Sequence, residues 1–361
     1  MKFIQTFMFL FASTVVFANN HYQFILNIQY QFSFPVDSIW LEYETFLPGA
    51  KVNKLKGTTN EKGVLAFSSI LPEPAVSAVL KCNSRGQSYY KYFVLDTGMH
   101  HVKATNTARF LKFSGYRSIN DQLFRQNPIS NGSLSNLPAK IKQMQTLIRQ
   151  HPQAYYSLVI LSQMFNQQFL VSPPDVLPLW KALDSCLQET QMGLWLHERM
   201  LVATRLLKGN AFPDITLPTA TGTEFNSTSM KGTNYLVVFG ATWCGPCKQN
   251  LAIIKPLLKE TAHNNLKVLH ITLSSQKSDW EKMIIKFGLQ DWTNVLDTAT
   301  NKRQTLGQHF GISFIPFYLV VNEEGIIQYN SYQEYDDNLE KLKSKIALIQ
   351  SGSVSAVSRP R

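Results

Sequence analysis

Cysteine is scarce in this chain: there are four in 361 residues, and two of them, Cys82 and Cys186, stand alone. No second Cys pair or His pair sits at the spacing a tetrahedral zinc site needs, so the remaining two are poorly explained as half of such a site. Long apolar runs are also missing. Beyond the first residues no segment reaches the roughly 20 apolar residues that a bilayer-spanning helix needs, so no stable span is expected in the mature chain. Acidic residues are outnumbered, 24 Asp and Glu against 35 Lys and Arg, for a formal charge of +11. The basic residues are scattered, without a basic helix or an aromatic-basic platform. That pattern favours a solvated surface and argues against a nucleic-acid partner.

Against these absences one motif stands out. Trp243-Cys244-Gly245-Pro246-Cys247 lies between an apolar run, Tyr235 to Phe239, and a helix-like stretch, Lys248 to Glu260. Strand, turn, dithiol and helix in that order make a redox layout. Two cysteines separated by two residues can close a small disulfide ring at the first turn of a helix. The helix aims unpaired backbone N–H groups and the positive end of its dipole at the sulfur. Such surroundings lower a cysteine pKa from about 8.5 to between about 3.5 and 7.5 and favour the nucleophilic thiolate.

The rest of the chain divides by periodicity. Residues 1 to 18 read as an export signal, with Lys2, an apolar stretch from Phe7 to Phe17 and cleavage after Ala18. An extracytoplasmic, periplasmic location follows, where a dithiol meets oxidising surroundings. Residues 19 to 114 carry short alternating strands punctuated by Pro48-Gly49, Lys62-Gly63 and Arg85-Gly86, which predicts an all-β sandwich-like domain. His100 and His101 are adjacent on a strand and so face opposite ways, which argues against a metal pair. From 115 to 209 the period becomes helical, over Leu137 to Gln150, Gln153 to Phe169, Val176 to Gln188 and Met192 to Leu207, with Gly209 closing the last helix: a helical connector. Residues 210 to 350 alternate strand and helix. Strands are expected at Ile215 to Leu217, Tyr235 to Phe239, Leu266 to Leu273, Phe317 to Val321 and Ile326 to Tyr329, and helices at Cys247 to His263, Ser278 to Phe287, Lys302 to Phe310 and Asp336 to Gln350. The tail, 351 to 361, lacks periodicity.

With the dithiol placed, residues 211 to 350 resemble the thioredoxin superfamily, and within it the exported TlpA-like disulfide reductases. The lead-in Phe212-Pro213-Asp214-Ile215-Thr216-Leu217, the stretch Phe239 to Cys247 and the loop Phe310-Gly311-Ile312-Ser313-Phe314-Ile315-Pro316 carry the resemblance. It implies a C-terminal α/β thioredoxin fold, with Cys244 as an attacking sulfur exposed at the helix start and Cys247 as the resolving sulfur one turn inward. It further implies a cis-proline at Pro316 facing the dithiol, an Ile315 backbone that pairs with an incoming peptide, and Trp243 flanking the site. The partners implied are disulfide-containing client proteins and an envelope electron donor. Neither a metal nor an organic cofactor is required.

Two departures stand out. The family's usual glutamate three residues after the second cysteine is Asn250 here, and thioredoxin's aspartate six residues before the first is Val238. Another group or water must then accept the proton of the resolving thiol. Lys248 is read as a solvated lysine, and Glu260 as surface. A thiol peroxidase is disfavoured because Ala241 and Val237 occupy the positions of that family's threonine and proline. A noncatalytic envelope adaptor that binds through the β domain is the rival of another class, and retention of both active-site cysteines argues against it. Cys82 and Cys186 form a bridge if their domains dock within about 7 Å, and are otherwise free thiols.

Overall fold

A computed structural model describes residues 22–59, 63–107, 110–130, 135–166, 171–259, 266–273, 276–297, 306–312, 314–336 and 338–351. The expected export signal, Glu260 and all but the first residue of the tail lie outside them. The chain separates into two compact units, Met1–Gln122 and Leu123–Arg361.

The first unit contains β1 (Gln23–Gln31), β2 (Ser38–Glu44), β3 (Asn53–Lys56), β4 (Thr58–Thr59), β5 (Leu65–Ile70), β6 (Ala75–Ser84), β7 (Gln87–Asp96), β8 (Gly98–Asn106) and β9 (Leu111–Ser114). Among the described residues these form two sheets, in the orders β4-β5-β1-β8-β9 and β3-β2-β6-β7. Alternate residues of both face one core: Phe24, Leu26, Ile28, Phe67 and Val102 from the first meet Leu41, Val76, Leu80, Cys82 and Phe93 from the second. The alternation seen in the sequence is therefore that of a sandwich with one wet side to each sheet. His100 is fixed structurally, its Nε2 lying 3.0 Å from the Asp96 carbonyl and its ring beside that of Tyr116, while His101 is exposed.

The second unit begins within α1 (Ile119–Gln126), an element the sequence reading did not anticipate. It continues through α2 (Leu137–Gln150), α3 (Tyr155–Phe165), α4 (Pro173–Ala182), α5 (Ser185–Gln188) and α6 (Gln191–Thr204). The expected helix from Val176 to Gln188 is two helices. Leu183 is extended between them and Asp184 caps the second by accepting a hydrogen bond from the Cys186 amide. Gly209 does not close the last helix, which stops at Thr204; it adopts φ 95° where the chain turns to hydrogen-bond the Ile327 carbonyl. The helical segment is thereby docked onto the sheet that follows it. Leu206 lies in that sheet's core, its carbonyl accepts from Asn330 Nδ2 at 2.7 Å, and Tyr335 donates to Asp175 at 2.6 Å.

A short hairpin, β10 (Thr216–Pro218) and β11 (Glu224–Asn226), leads into β12 (Asn234–Gly240), α7 (Gly245–Lys259), β13 (Leu266–Leu273), α8 (Lys277–Phe287), β14 (Thr293–Asp297), α9 (Leu306–His309), β15 (Phe317–Val321), β16 (Ile327–Asn330) and α10 (Glu340–Gln350). The sheet order is β14-β13-β12-β15-β16; β12, β13 and β14 run parallel, and β15 and β16 antiparallel to their neighbours. Both faces are covered, one core containing Val237, Phe239, Ile271 and Phe317 and the other Leu236, Val238, Val268, Ile254, Trp280 and Leu342. This explains why β12 and β13 read as continuous apolar runs. α10 starts at Glu340 rather than Asp336 because the Asp336 carboxylate stands outside the helix and accepts from the Lys341 and Leu342 amides. The start of the expected helix at Lys302 lies outside the described residues.

Candidate functional site

The site forms where β12 ends and α7 begins. Cys244 and Cys247 are joined in a disulfide with their Cα atoms 5.3 Å apart. The Cys247 amide, in the first turn of α7, donates to Cys244 Sγ at 3.1 Å. On reduction that N–H and the helix dipole favour negative charge on Cys244.

Across the dithiol lies the loop before β15. The Ile315–Pro316 peptide bond is cis, and the Ile315 carbonyl oxygen is 3.8 Å from Cys244 Sγ. Tyr332 secures this loop: its hydroxyl donates to the Phe314 carbonyl and accepts from the Phe314 amide at 3.2 Å. Its ring packs 4.3 Å from that of Phe317. A groove of about 380 Å³ runs beside the loop, lined by Pro246, Asn250, Phe314, Ile315, Pro316 and Tyr318. On the opposite side, Trp243 is 66% exposed and borders a depression of about 330 Å³ with Lys248, Asp279, Lys282 and Lys286.

The structure thus brings Cys244, Cys247, Ile315 and Pro316 together and leaves Trp243 at the rim. It corrects one expectation. Cys244 is not exposed at the helix start: it is 4% exposed and Cys247 7%, because Ile315 packs on the pair and each sulfur screens the other. Val238 is buried among apolar side chains, and Asn250 is half-buried and hydrogen-bonded to the Tyr318 hydroxyl, so neither position offers a proton acceptor.

His270, which the sequence reading passed over, lies on β13 below the dithiol. It is 1% exposed, and burial, opposed by its bond to Asn294, lowers its pKa to about 4. The available signal was a histidine inside the apolar strand Leu266 to Leu273. Cys82 is buried in the sandwich core and burial pushes its thiol up to about 11; Cys186 is exposed, and both are free thiols.

Comparison with known proteins agrees with this geometry. Residues 207–346 match the Redoxin family. The Bacillus subtilis thioredoxin-like protein YneN is 27% identical over 121 residues, 34% of this chain and 69% of that protein. The Geobacillus thermodenitrificans thiol-disulfide oxidoreductase ResA is 23% identical over 165 residues, 46% of this chain and 88% of that one. Among solved structures, a thiol-disulfide oxidoreductase from Bacteroides fragilis aligns at 25% identity and a TM-score of 0.33 over 38% of this chain and 99% of its own. A thioredoxin-like protein from Bacteroides caccae aligns at 18% identity and a TM-score of 0.41, over 58% and 78%. Together the Redoxin match and the two sequence relatives support an oxidoreductase with a thioredoxin-superfamily domain in its C-terminal region, residues 207–346.

Proposed function

We propose that the protein is an exported reductase of client disulfides, working through Cys244 and Cys247. Cys244 is the attacking sulfur: the Cys247 amide points at it and it lies beside the Ile315 carbonyl. Its thiolate attacks one sulfur of a client disulfide, the client's S–S bond breaks, and a Cys244 mixed disulfide forms. The Cys247 sulfur then displaces the client from Cys244, leaving the client reduced by two electrons and the protein oxidised. An external donor in the envelope recharges the pair. The client backbone lies along the groove beside Ile315 in the manner of an added strand, with Trp243 contacting it from the other side. Gly245-Pro246 between the cysteines favours the reducing end of the family, near the thioredoxin couple of about −270 mV rather than the roughly −120 mV of DsbA. Among the described residues no helix is long and apolar enough to cross a membrane. Residues 1 to 18 are proposed to direct export, and the sandwich of 19 to 114 to precede a helical segment, 115 to 209, and the redox domain, 210 to 350.

The observation that carries this reading is the Cys247 amide aimed at Cys244 Sγ beside the Ile315 carbonyl. Its test is trapping: Cys247→Ser in the full mature chain should accumulate client mixed disulfides on Cys244, visible on non-reducing gels and released by dithiothreitol. If that variant traps nothing while the wild type turns over a model disulfide, Cys244 is not the attacking sulfur.

A further inference from the structure

Resolution of the mixed disulfide requires the Cys247 thiol to lose a proton, and the two positions where a carboxylate would take it hold Val238 and Asn250. The buried polar groups below the dithiol fill that role. His270 Nδ1 lies 3.0 Å from Asn294 Oδ1, and the Asn294 amide nitrogen donates to the Leu289 and Trp292 carbonyls at 2.7 and 2.9 Å. Those two donations fix which end of Asn294 faces the ring. Its oxygen meets Nδ1, so Nδ1 bears the hydrogen and Nε2 carries the lone pair.

Nε2 faces a niche left by a missing side chain. A Cβ built on Gly240 would lie 3.7 Å from His270 Nε2 and 3.7 Å from Cys247 Sγ, so both atoms border one small space at the end of β12. Thr272 stands opposite Gly240 across the β12–β13 ladder, on the same face as His270, and its buried hydroxyl has no hydrogen-bond partner among the described residues. The niche is therefore edged by the Cys247 sulfur and the His270 Nε2 lone pair, with the Thr272 hydroxyl on its face of the sheet. A direct approach after a rotamer change, or one bridging water, would join the two.

We propose that His270 is the proton acceptor for Cys247 during resolution, through the Gly240 niche. This rests on the proposed function, in which Cys247 is the resolving sulfur. As Cys247 Sγ bonds to Cys244 Sγ, its proton passes to His270 Nε2, the bond between Cys244 and the client breaks, and the client leaves with the electron pair as a thiolate. The imidazolium then returns the proton to solvent or to the departing thiolate. No outside oxidant is consumed, because the two electrons gained by the client come from the pair of cysteines.

The surroundings suit the task. His270 pairs with Val238 across the β12–β13 ladder, on the face that carries the apolar core of Val238, Trp280, Met283, Ile284, Leu342 and Ile346; β14 presents Asn294 to the ring, and the Trp292 ring stands edge-on at 6.1 Å. From α7 the titratable group at the niche is Cys247. Burial, opposed by the Asn294 bond, keeps the ring neutral at pH 7, with its lone pair on Nε2. A thiolate forming beside it would raise its proton affinity when the transfer is needed.

The test separates the two chemical steps in the full mature chain. The Cys244 thiolate is reacted with a small aromatic disulfide, and both the formation of the mixed disulfide and the release of the second thiol are followed by stopped flow from pH 5 to 9. In His270→Leu the first step should keep its rate while release slows by tenfold or more at pH 7 and becomes proportional to hydroxide concentration. Gly240→Ala, whose added carbon meets only ordinary van der Waals contacts, should slow release with His270 still in place. In the wild-type reduced protein the His270 ring nitrogen resonances should shift with the titration of Cys247. Parental release rates in both variants, or a ring state indifferent to Cys247, would overturn the proposal. Failure to form any mixed disulfide would instead overturn the role of Cys244.

Discussion

Cys82 and Cys247 are both buried cysteines, one on a strand and one in the first turn of a helix, and only one of them sits in a reactive setting. Cys82 points from β6 into the apolar core of the sandwich, where nothing stabilises a negative sulfur and burial raises its pKa to about 11. Cys247 lies at a helix N-terminus, bonded to Cys244 and bordered by an imidazole. Burial alone makes a thiol inert; burial beside oriented N–H groups and a proton acceptor makes it usable. The same contrast holds for the sheets. The sandwich pairs its strands antiparallel except β1 with β8, whereas the parallel strands β12 and β13 bring Gly240 and Thr272 to their carboxyl ends beneath the start of α7, the position where open α/β sheets place their chemistry.

The contrast can be broken most sharply at Cys244. Cys244→Ser should lower dithiol-driven reduction of insulin, read by turbidity, by about 10³-fold or more, while Cys82→Ala leaves that rate unchanged. Next in size is alkylation of the reduced chain in a Cys186→Ser background. Cys244 should react with iodoacetamide with a midpoint between about pH 3.5 and 7.5, and Cys82 should stay unlabelled below pH 9 in the folded state.

His270 sharpens the comparison through stability. Its folded pKa of about 4 lies below its ordinary value of 6.5, so the unfolded chain binds the extra proton between those limits. Its contribution is complete above pH 6.5 and lost as pH falls to 4, on the order of 3 kcal/mol. Urea midpoints across that range should show a slope that His270→Leu flattens. Trp243→Ala should raise KM for a peptide disulfide severalfold with kcat changed less than about twofold, since the ring stands at the rim. The smallest effect is at Cys82: its raised pKa means the folded chain holds a proton the unfolded chain gives up, so stability should decline between about pH 9 and 11, and Cys82→Ala should remove that decline.

Much of this was legible before the structure because it is written in local patterns. The alternation of Phe24, Leu26 and Ile28 marks a one-sided strand, the run from Tyr235 to Phe239 a strand covered on both faces, and the cysteine spacing a helix-start dithiol. What was not legible depends on contacts distant in sequence. Nothing near Asp336 shows that its carboxylate will cap α10 from outside, and nothing near Leu206 shows that its carbonyl will be held by Asn330, making an expected connector part of the redox unit. The low exposure of Cys244 depends on Ile315, 71 residues away. His270 escaped notice because its meaning comes from Gly240 and Asn294, each on a neighbouring strand.

The Tyr332 anchor has a further consequence for how such a reductase can acquire new clients. Its hydroxyl grips main-chain atoms of Phe314, so this point of the loop is held by a contact that does not depend on which side chain stands at 314. Position 314 is thus a faceplate on a fixed mount: substitutions there can retune which sequences are preferred beside the sulfur while the main chain behind keeps its alignment.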